Sequence, residues 1–235
     1  MNSTLRLSGR RAFVTGGAKG IGAAIARRLA AEGASVIIAD QDADAARSLA
    51  AQIGASAVRL DVTDLQAAHD AVSAAAPLAI LVNNAGVDQH AFFTHTTLAQ
   101  WAPLLAVNLE AVLATTHAAL PAMQAARYGR IINISSEAGR MGSRGGAVYA
   151  AAKGGVIAFT RSIARENGHK GITANVVAPG PIDTPLLRKA LEQGGEGLLD
   201  AMKASTLLGR LGRPEEVAAA VAFLASDEAA FITGE

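Results

Sequence analysis

Tyr149 and Lys153 frame the stretch "YAAAK", which follows the polar pair Ser135-Ser136 and a glycine-rich loop. At helical spacing the phenol and the ammonium leave the same face, one turn apart. A free phenol ionises near ~10 and is a poor base at neutral pH. A neighbouring cation favours the phenolate and brings its pKa towards the working range. A serine hydroxyl at the same oxygen would stabilise charge that develops there. The chemistry these residue types suggest is proton transfer at an oxygen, with Tyr149 as acid/base. On the residues alone, the pair is also readable as an ordinary amphipathic pair on a helix, and Ser136 as a strand-end cap.

A second constellation is "VTGGAKGIG", Val14 to Gly22. Gly16, Gly17, Gly20 and Gly22 allow a sharp turn and a close approach of backbone to a bound group. A helix starting there would offer unpaired N–H groups and a partial positive charge to a pyrophosphate. Asp40 ends the next apolar run, where a carboxylate would accept from an adenosine ribose and repel a 2′-phosphate. That favours NAD over NADP, although Lys19 in the loop is a cation that could help hold a phosphate.

Elements to position these groups follow from the apolar pattern. "RAFVTG", "SVIIAD", "AVRLDV", "LAILVNN", "RIINIS" and "ITANVV" read as strands that are hydrophobic without alternation, as expected where helices cover both sheet faces. Between them lie Ala-rich helical stretches. "IGAAIARRLAAEG" ends at Gly33, a helix from about Asp42 to Ile53 ends at Gly54, and Thr63 with Gln66 has capping-box spacing for a third helix to about Ala76. A long helical region runs from Thr97 to about Ala126, with Pro103 and Pro121 as expected kinks. Ala147 to Asn167 is a further helix, and Pro214 opens the last one. The pattern predicts a single-domain α/β fold over 1–235, a doubly wound parallel Rossmann sheet. The segment 183–209, containing "EQGGEG", is the least regular and is expected to act as a substrate lid.

Composition narrows the function classes. The chain has 235 residues, is 51% hydrophobic and 17% charged, and carries 21 Lys plus Arg against 20 Asp plus Glu, so disorder and a nucleic-acid stripe are both disfavoured. With no cysteine, disulfides and thiolate chemistry are excluded. His69, His90, His95, His117 and His169 show no ligand spacing, and no metal is implied. The start "MNSTLRLSGRR" lacks a signal-peptide core, and no run is expected to span a bilayer. A cytoplasmic protein with neither membrane nor nucleic-acid partner is expected.

"TGGAKGIG", "LDV", "NNAG", "VNL", "INISS", "YAAAK" and "PGPIDT" stand in the order found in short-chain dehydrogenases/reductases, and the chain resembles that family from about Leu7 to Gly234. The resemblance implies a catalytic tetrad of Asn108, Ser136, Tyr149 and Lys153, with Ser135 a structural neighbour, Lys153 also on the nicotinamide ribose and Asn108 holding a relay water. It implies cofactor contacts from Gly16, Gly17, Lys19, Gly20, Ile21 and Gly22 in the loop, and from Asp40 and Gln41 after the second strand. Asp61 and Val62 should meet the adenine, while Asn83, Ala85, Gly86 and Val107 line the cleft. Pro179, Gly180, Ile182 and Thr184 should meet the nicotinamide side. The expected cofactor is NAD, with NADP second.

Two further expectations rest on this resemblance. The chain stops at "FITGE", where family members continue into a last strand; the expected reason is a sequence cut short, and a genuine truncation would leave strand six as a bare sheet edge. A homotetramer is usual in the family, and Gly154-Gly155 would suit helix packing between subunits. The stretches "EAGRMGSRGGAVYAAAKGGVIAF" and "GPIDTPLL" are similar to dehydrogenases of 2-hydroxycycloalkanecarboxyl-CoA esters and to the wider 3-oxoacyl-thioester reductases. The expected substrate is a secondary alcohol or ketone, with a lean to a 3-hydroxyacyl-CoA ester; Arg140, Arg144, Arg188 and Lys189 read first as solvated surface cations and second as groups that could meet its phosphates. The alternatives are an NADPH-dependent 3-oxoacyl-thioester reductase and a catalytically silent dinucleotide-binding protein.

Overall fold

The computed structural model describes residues 5–194 and 196–235. Among them, six strands form one parallel sheet: β1 (Arg11–Thr15), β2 (Ser35–Asp40), β3 (Ser56–Arg59), β4 (Ile80–Asn83), β5 (Gly129–Ile134) and β6 (Ile172–Val177). Their order is β3-β2-β1-β4-β5-β6. The order reverses between β1 and β4, and a ligand crevice is expected outside the carboxyl ends of strands at such a point. β4 and β5 are buried along their whole length, which explains their unbroken apolar runs.

The helices are α1 (Gly20–Ala31), α2 (Ala43–Ile53), α3 (Leu65–Ala74), α4 (Leu98–Leu105), α5 (Ala111–Ala126), α6 (Ala138–Met141), α7 (Ala147–Asn167), α8 (Pro185–Gly194), α9 (Glu196–Ala204) and α10 (Pro214–Ala225). On one face of the sheet Ile25 and Leu29 of α1, Leu49 of α2 and Val221 of α10 cover Val14, Ile38 and Val82. On the other, Val72 of α3, Met123 of α5 and Ile163 of α7 cover Phe13, Leu81 and Ile131. Each such side chain contributes roughly 1.5–3 kcal/mol by leaving water.

Several expectations need correction. The helical run Leu98–Ala126 is not broken at its prolines: Pro103 lies inside α4 and Pro121 inside α5. The irregularity is a π-turn at Ala106–Glu110, and Asn108 sits in it. The run is also long and apolar enough to cross a membrane by length and composition, contrary to the expectation that none is. Here its two halves pack against α3 and α7. Thr63 does not cap α3. Its N–H and hydroxyl both donate to Asp61, and the cap is Asp64, whose carboxylate accepts from Ala67 N–H at 2.9 Å.

The segment 183–209 is largely helical, as α8 and α9. Gly154 and Gly155 are half-buried on α7, and Cβ atoms there would lie 3.2 Å from Gly139 O and 3.2 Å from Leu109 Cδ1. The edge of β6 is not bare. Gly234 N–H donates to Ala174 C=O at 2.8 Å, and the Asn175 side chain bonds both Ile232 C=O and Glu235 N–H.

Candidate active site

The loop after β1 and the loop after β4 meet at the switch point. Gly16 has φ +59°, and a Cβ on it would lie 2.8 Å from Ala85 Cα. A Cβ on Gly22 would stand 2.0 Å from Gly16 O, so α1 can begin against the loop only without a side chain there. Asn84, which was not singled out from the sequence, ties the two loops together. Its Nδ2 donates to Thr15 C=O and Gly16 C=O at 3.1 and 2.9 Å.

Lys19 is the N-cap of α1 but caps no N–H with its side chain, and the first helical bond is Ala23 N–H to Lys19 C=O. The first-turn N–H groups are therefore left for an anion at the positive end of α1, which fits a dinucleotide pyrophosphate. Ile21 is half-buried beside this turn, and Gly17 N–H is held by Ala39 C=O. Asp40 joins the loop to the next helix: one oxygen accepts from Ala18 N–H and the other from Asp42 N–H, each at 3.0 Å. Exposed Gln41 lies between these two aspartates. Lys19 pairs with Asp42 at 2.6 Å.

Val62, Asn83, Ala85 and Val107 surround one small cleft with Thr15 and Thr115. Asp61, the residue before Val62, is exposed. The Asn83 side chain is buried and turned into a polar chain, donating to Thr116 Oγ1 and Asn133 Oδ1 and accepting from Thr115. On the far side, Pro179 C=O accepts from Glu137 N–H, and Gly180 abuts the Glu137 carboxylate. Ile182 bridges to Gly212, and Thr184 Oγ1 accepts from Leu187 N–H at the start of α8.

α7 carries Tyr149 and Lys153 into the mouth between these loops. Lys153 is 4% exposed, and its Nζ donates to Ile134 C=O at 2.9 Å. Burial pulls its pKa down to about 8, against a smaller opposing pull from Asp88. Tyr149 is partly buried, which pushes its pKa up. A hydrogen bond with Ser136 opposes this, and Asp88 adds to it. The direction is opposite to that expected from the sequence. The reason is geometric: Nζ is 5.8 Å from the ring centroid and bonded to a carbonyl, so its charge is not placed at the phenol oxygen.

Ser135 and Ser136 separate cleanly. Ser135 Oγ donates to Lys153 C=O at 2.8 Å and is buried, whereas Ser136 Oγ accepts from Ala138 N–H at 3.2 Å and lies near enough to the phenol to pull its pKa down. Asn108, fully buried, brackets Val87, donating to its C=O at 2.9 Å and accepting from its N–H at 3.3 Å. A Cβ on Gly86 would stand 3.0 Å from Asn108 Oδ1 and 3.5 Å from Lys153 Nζ, so both groups border the same space. The four expected tetrad residues are thus brought together.

Of the basic residues at the mouth, Arg188 is not free. It makes two bonds to the Asp183 carboxylate at 2.8 and 2.9 Å, on the exposed surface. Arg144 lies over the Phe92 ring at 5.3 Å, and Arg140 and Lys189 are exposed.

The chain is similar to several known proteins. A family model described as enoyl-(acyl carrier protein) reductase matches residues 16–235. The chain is 42% identical over 237 residues to 3-oxoacyl-(acyl-carrier-protein) reductase FabG of Escherichia coli (strain K12), covering 98% of this chain and 96% of that protein. It is 41% identical over 231 residues to acetoacetyl-CoA reductase of Shinella zoogloeoides, covering 96% and 94%. A solved structure described as a short chain dehydrogenase/reductase family protein superposes with a TM-score of 0.91 at 38% identity, covering 97% of this chain and 94% of that one.

These relatives overturn the expectation of NAD over NADP, because reductases of these names are NADPH-dependent. In the structure both oxygens of Asp40 accept backbone N–H groups, and the Lys19 ammonium stands beside the same turn.

Proposed function

The chain belongs to the short-chain dehydrogenase/reductase family and is an oxidoreductase acting on CH–OH donors, and from that premise we propose that it reduces the ketone of a 3-oxoacyl thioester with NADPH. The observation that carries the reading is geometric: Asn108 Oδ1 and Lys153 Nζ border one space at Gly86, and the helix that carries Lys153 also carries Tyr149. Reduction needs a proton delivered to the carbonyl oxygen, and a protonated phenol beside a hydroxyl supplies it.

The bound cofactor would supply the hydride. The first-turn N–H groups of Gly20, Ile21 and Gly22 would bind its pyrophosphate, with Lys19 close enough to meet an added phosphate. Gly16, Gly17, Asp40, Gln41, Asp61 and Val62 would shape the adenosine side. Asn83, Ala85, Gly86, Val107, Pro179, Gly180, Ile182 and Thr184 would bound the cleft towards the nicotinamide. Tyr149 donates its proton to the substrate oxygen while Ser136 donates a second hydrogen bond to it. Lys153, deprotonating near pH 8, sits at the right strength to return a proton to Tyr149 through the ribose side. Asn108 Oδ1, across the Gly86 space from Nζ, would hold the water that reloads the lysine.

The names of the relatives support an acyl thioester as substrate. Arg140, Arg144 and Lys189, all exposed, would meet the phosphates of a thioester carrier. The segment 183–209 would cover the acyl chain. We read the protein as cytoplasmic and as a homo-oligomer. The test is NADPH oxidation on acetoacetyl-CoA beside free ketones of similar size. A strong preference for the thioester supports the reading, and equal turnover of free ketones overturns it.

A further inference from the structure

The first helical bond of α7 runs from Ala150 N–H to Gly146 C=O, so the N–H groups before it have no partner within the helix. The N-cap is Gly146, which has no side chain to satisfy them. The acceptor comes from elsewhere. Gln89 Oε1 accepts from Val148 N–H at 3.1 Å and from Tyr149 N–H at 3.2 Å. Gln89 is only 8% exposed, and its Nε2 has no hydrogen-bond partner among the described residues. Two backbone donors on one side-chain atom identify it as the carbonyl oxygen, since the amide nitrogen could accept neither.

The segment that delivers Gln89 is itself held. Asn108 brackets both backbone groups of Val87, two residues earlier, and Ala91 N–H donates to Gly145 C=O at 2.9 Å, two residues later. A chain of hydrogen bonds therefore runs from the π-turn, through the segment after β4, to the backbone of Tyr149.

We infer that Gln89 is a positioning residue for Tyr149: its side-chain carbonyl, delivered from the segment after β4, fixes the first turn of α7 and with it the approach of the phenol to Ser136. The inference rests on the reading of Tyr149 as the proton donor. A short hydrogen bond between phenol, Ser136 and substrate tolerates little displacement, and a misplacement of about 1 Å can cost about 100-fold in rate. Among the described residues, the amide makes its side-chain hydrogen bonds through its oxygen.

The experiment compares Gln89→Met, which keeps length but removes the acceptor, Gln89→Asn, which keeps the amide but cannot reach, and Gln89→Glu, which restores an acceptor at full length. Each is measured for NADPH affinity by fluorescence and for kcat and KM on acetoacetyl-CoA, with Tyr149→Phe alongside. Met and Asn are expected to lose about 10- to 100-fold in kcat with NADPH affinity and KM little changed, and Glu to return to within about threefold of the parent.

Parent-like kcat in the Met variant would overturn the inference, as would equal losses in Met and Glu. Loss of NADPH binding in Met and Asn alike would also overturn it, because Gln89 would then be holding the fold rather than the phenol. An active Tyr149→Phe variant would show instead that the reading of Tyr149 had failed. An inactive one beside an active Gln89→Met would confine the failure to Gln89.

Discussion

Asn108 and Val87 hold each other through both backbone groups, with Asn108 Nδ2 on Val87 C=O at 2.9 Å and Asn108 Oδ1 on Val87 N–H at 3.3 Å. The amide also donates to Leu104 C=O at 3.0 Å, one turn back in the same helical run. One buried side chain thus ties the π-turn to the segment that borders the lysine. Replacing Asn108 with Leu leaves Val87 N–H and C=O without partners. We expect a stability loss of about 1–3 kcal/mol by chemical denaturation, together with a fall in kcat. A variant as stable as the parent would mean that the bracket contributes nothing.

Lys153 gives a pH signature. Its folded-state pKa is depressed to about 8 from 10.5, so below pH 8 the buried ammonium is charged in both states and costs stability. Between about 8 and 10.5 the folded protein sheds this proton while the unfolded chain keeps it, so stability rises with pH by this one group. The contribution is on the order of 3 kcal/mol. The difference in unfolding free energy between the parent and Lys153→Met should therefore shift in the parent's favour across that window. A difference independent of pH would contradict the depressed pKa.

The glycine loop tests the cofactor end. A Cβ at Gly22 would stand 2.0 Å from Gly16 O and 2.6 Å from Asn84 Nδ2, so Gly22→Ala must push α1 away from the loop. NADPH affinity is expected to fall at least about tenfold, or about 1.4 kcal/mol. Unchanged affinity would place the pyrophosphate elsewhere.

Lys19 should separate the two nicotinamide cofactors. Its ammonium is exposed and shared with Asp42. Lys19→Ala is expected to weaken NADPH binding severalfold more than NADH binding, and added salt should shrink the difference. Equal effects on both cofactors would remove Lys19 from the 2′-phosphate.

Much of this site was legible in the residues because its key spacings are local. The four-residue step from Tyr149 to Lys153 and the glycine pattern before Ile21 act within one turn or one loop, where sequence distance equals spatial distance. The buried strands, β4 and β5 above all, were legible because full burial writes an unbroken apolar run, whereas β3 is mostly exposed. What stayed hidden depends on contacts distant in sequence. The π-turn around Asn108 has no residue signature, and the two prolines were a more visible but inactive cue. Gln89 reaches α7 across 60 residues, and nothing local distinguishes it from a loop glutamine. Asp40 misled because a charge at a strand end was read as free, when its partners, Ala18 and Asp42, are set by the fold.

The central claim is that Tyr149 supplies the proton, and the most direct measurement is single-turnover NADPH oxidation on acetoacetyl-CoA by the parent and by Tyr149→Phe. Removing the phenol oxygen should leave NADPH binding intact and slow the chemical step by about 100- to 10,000-fold, the span of a positioned general acid. A Phe variant that binds NADPH and reduces the thioester within a few-fold of the parent rate would contradict the account.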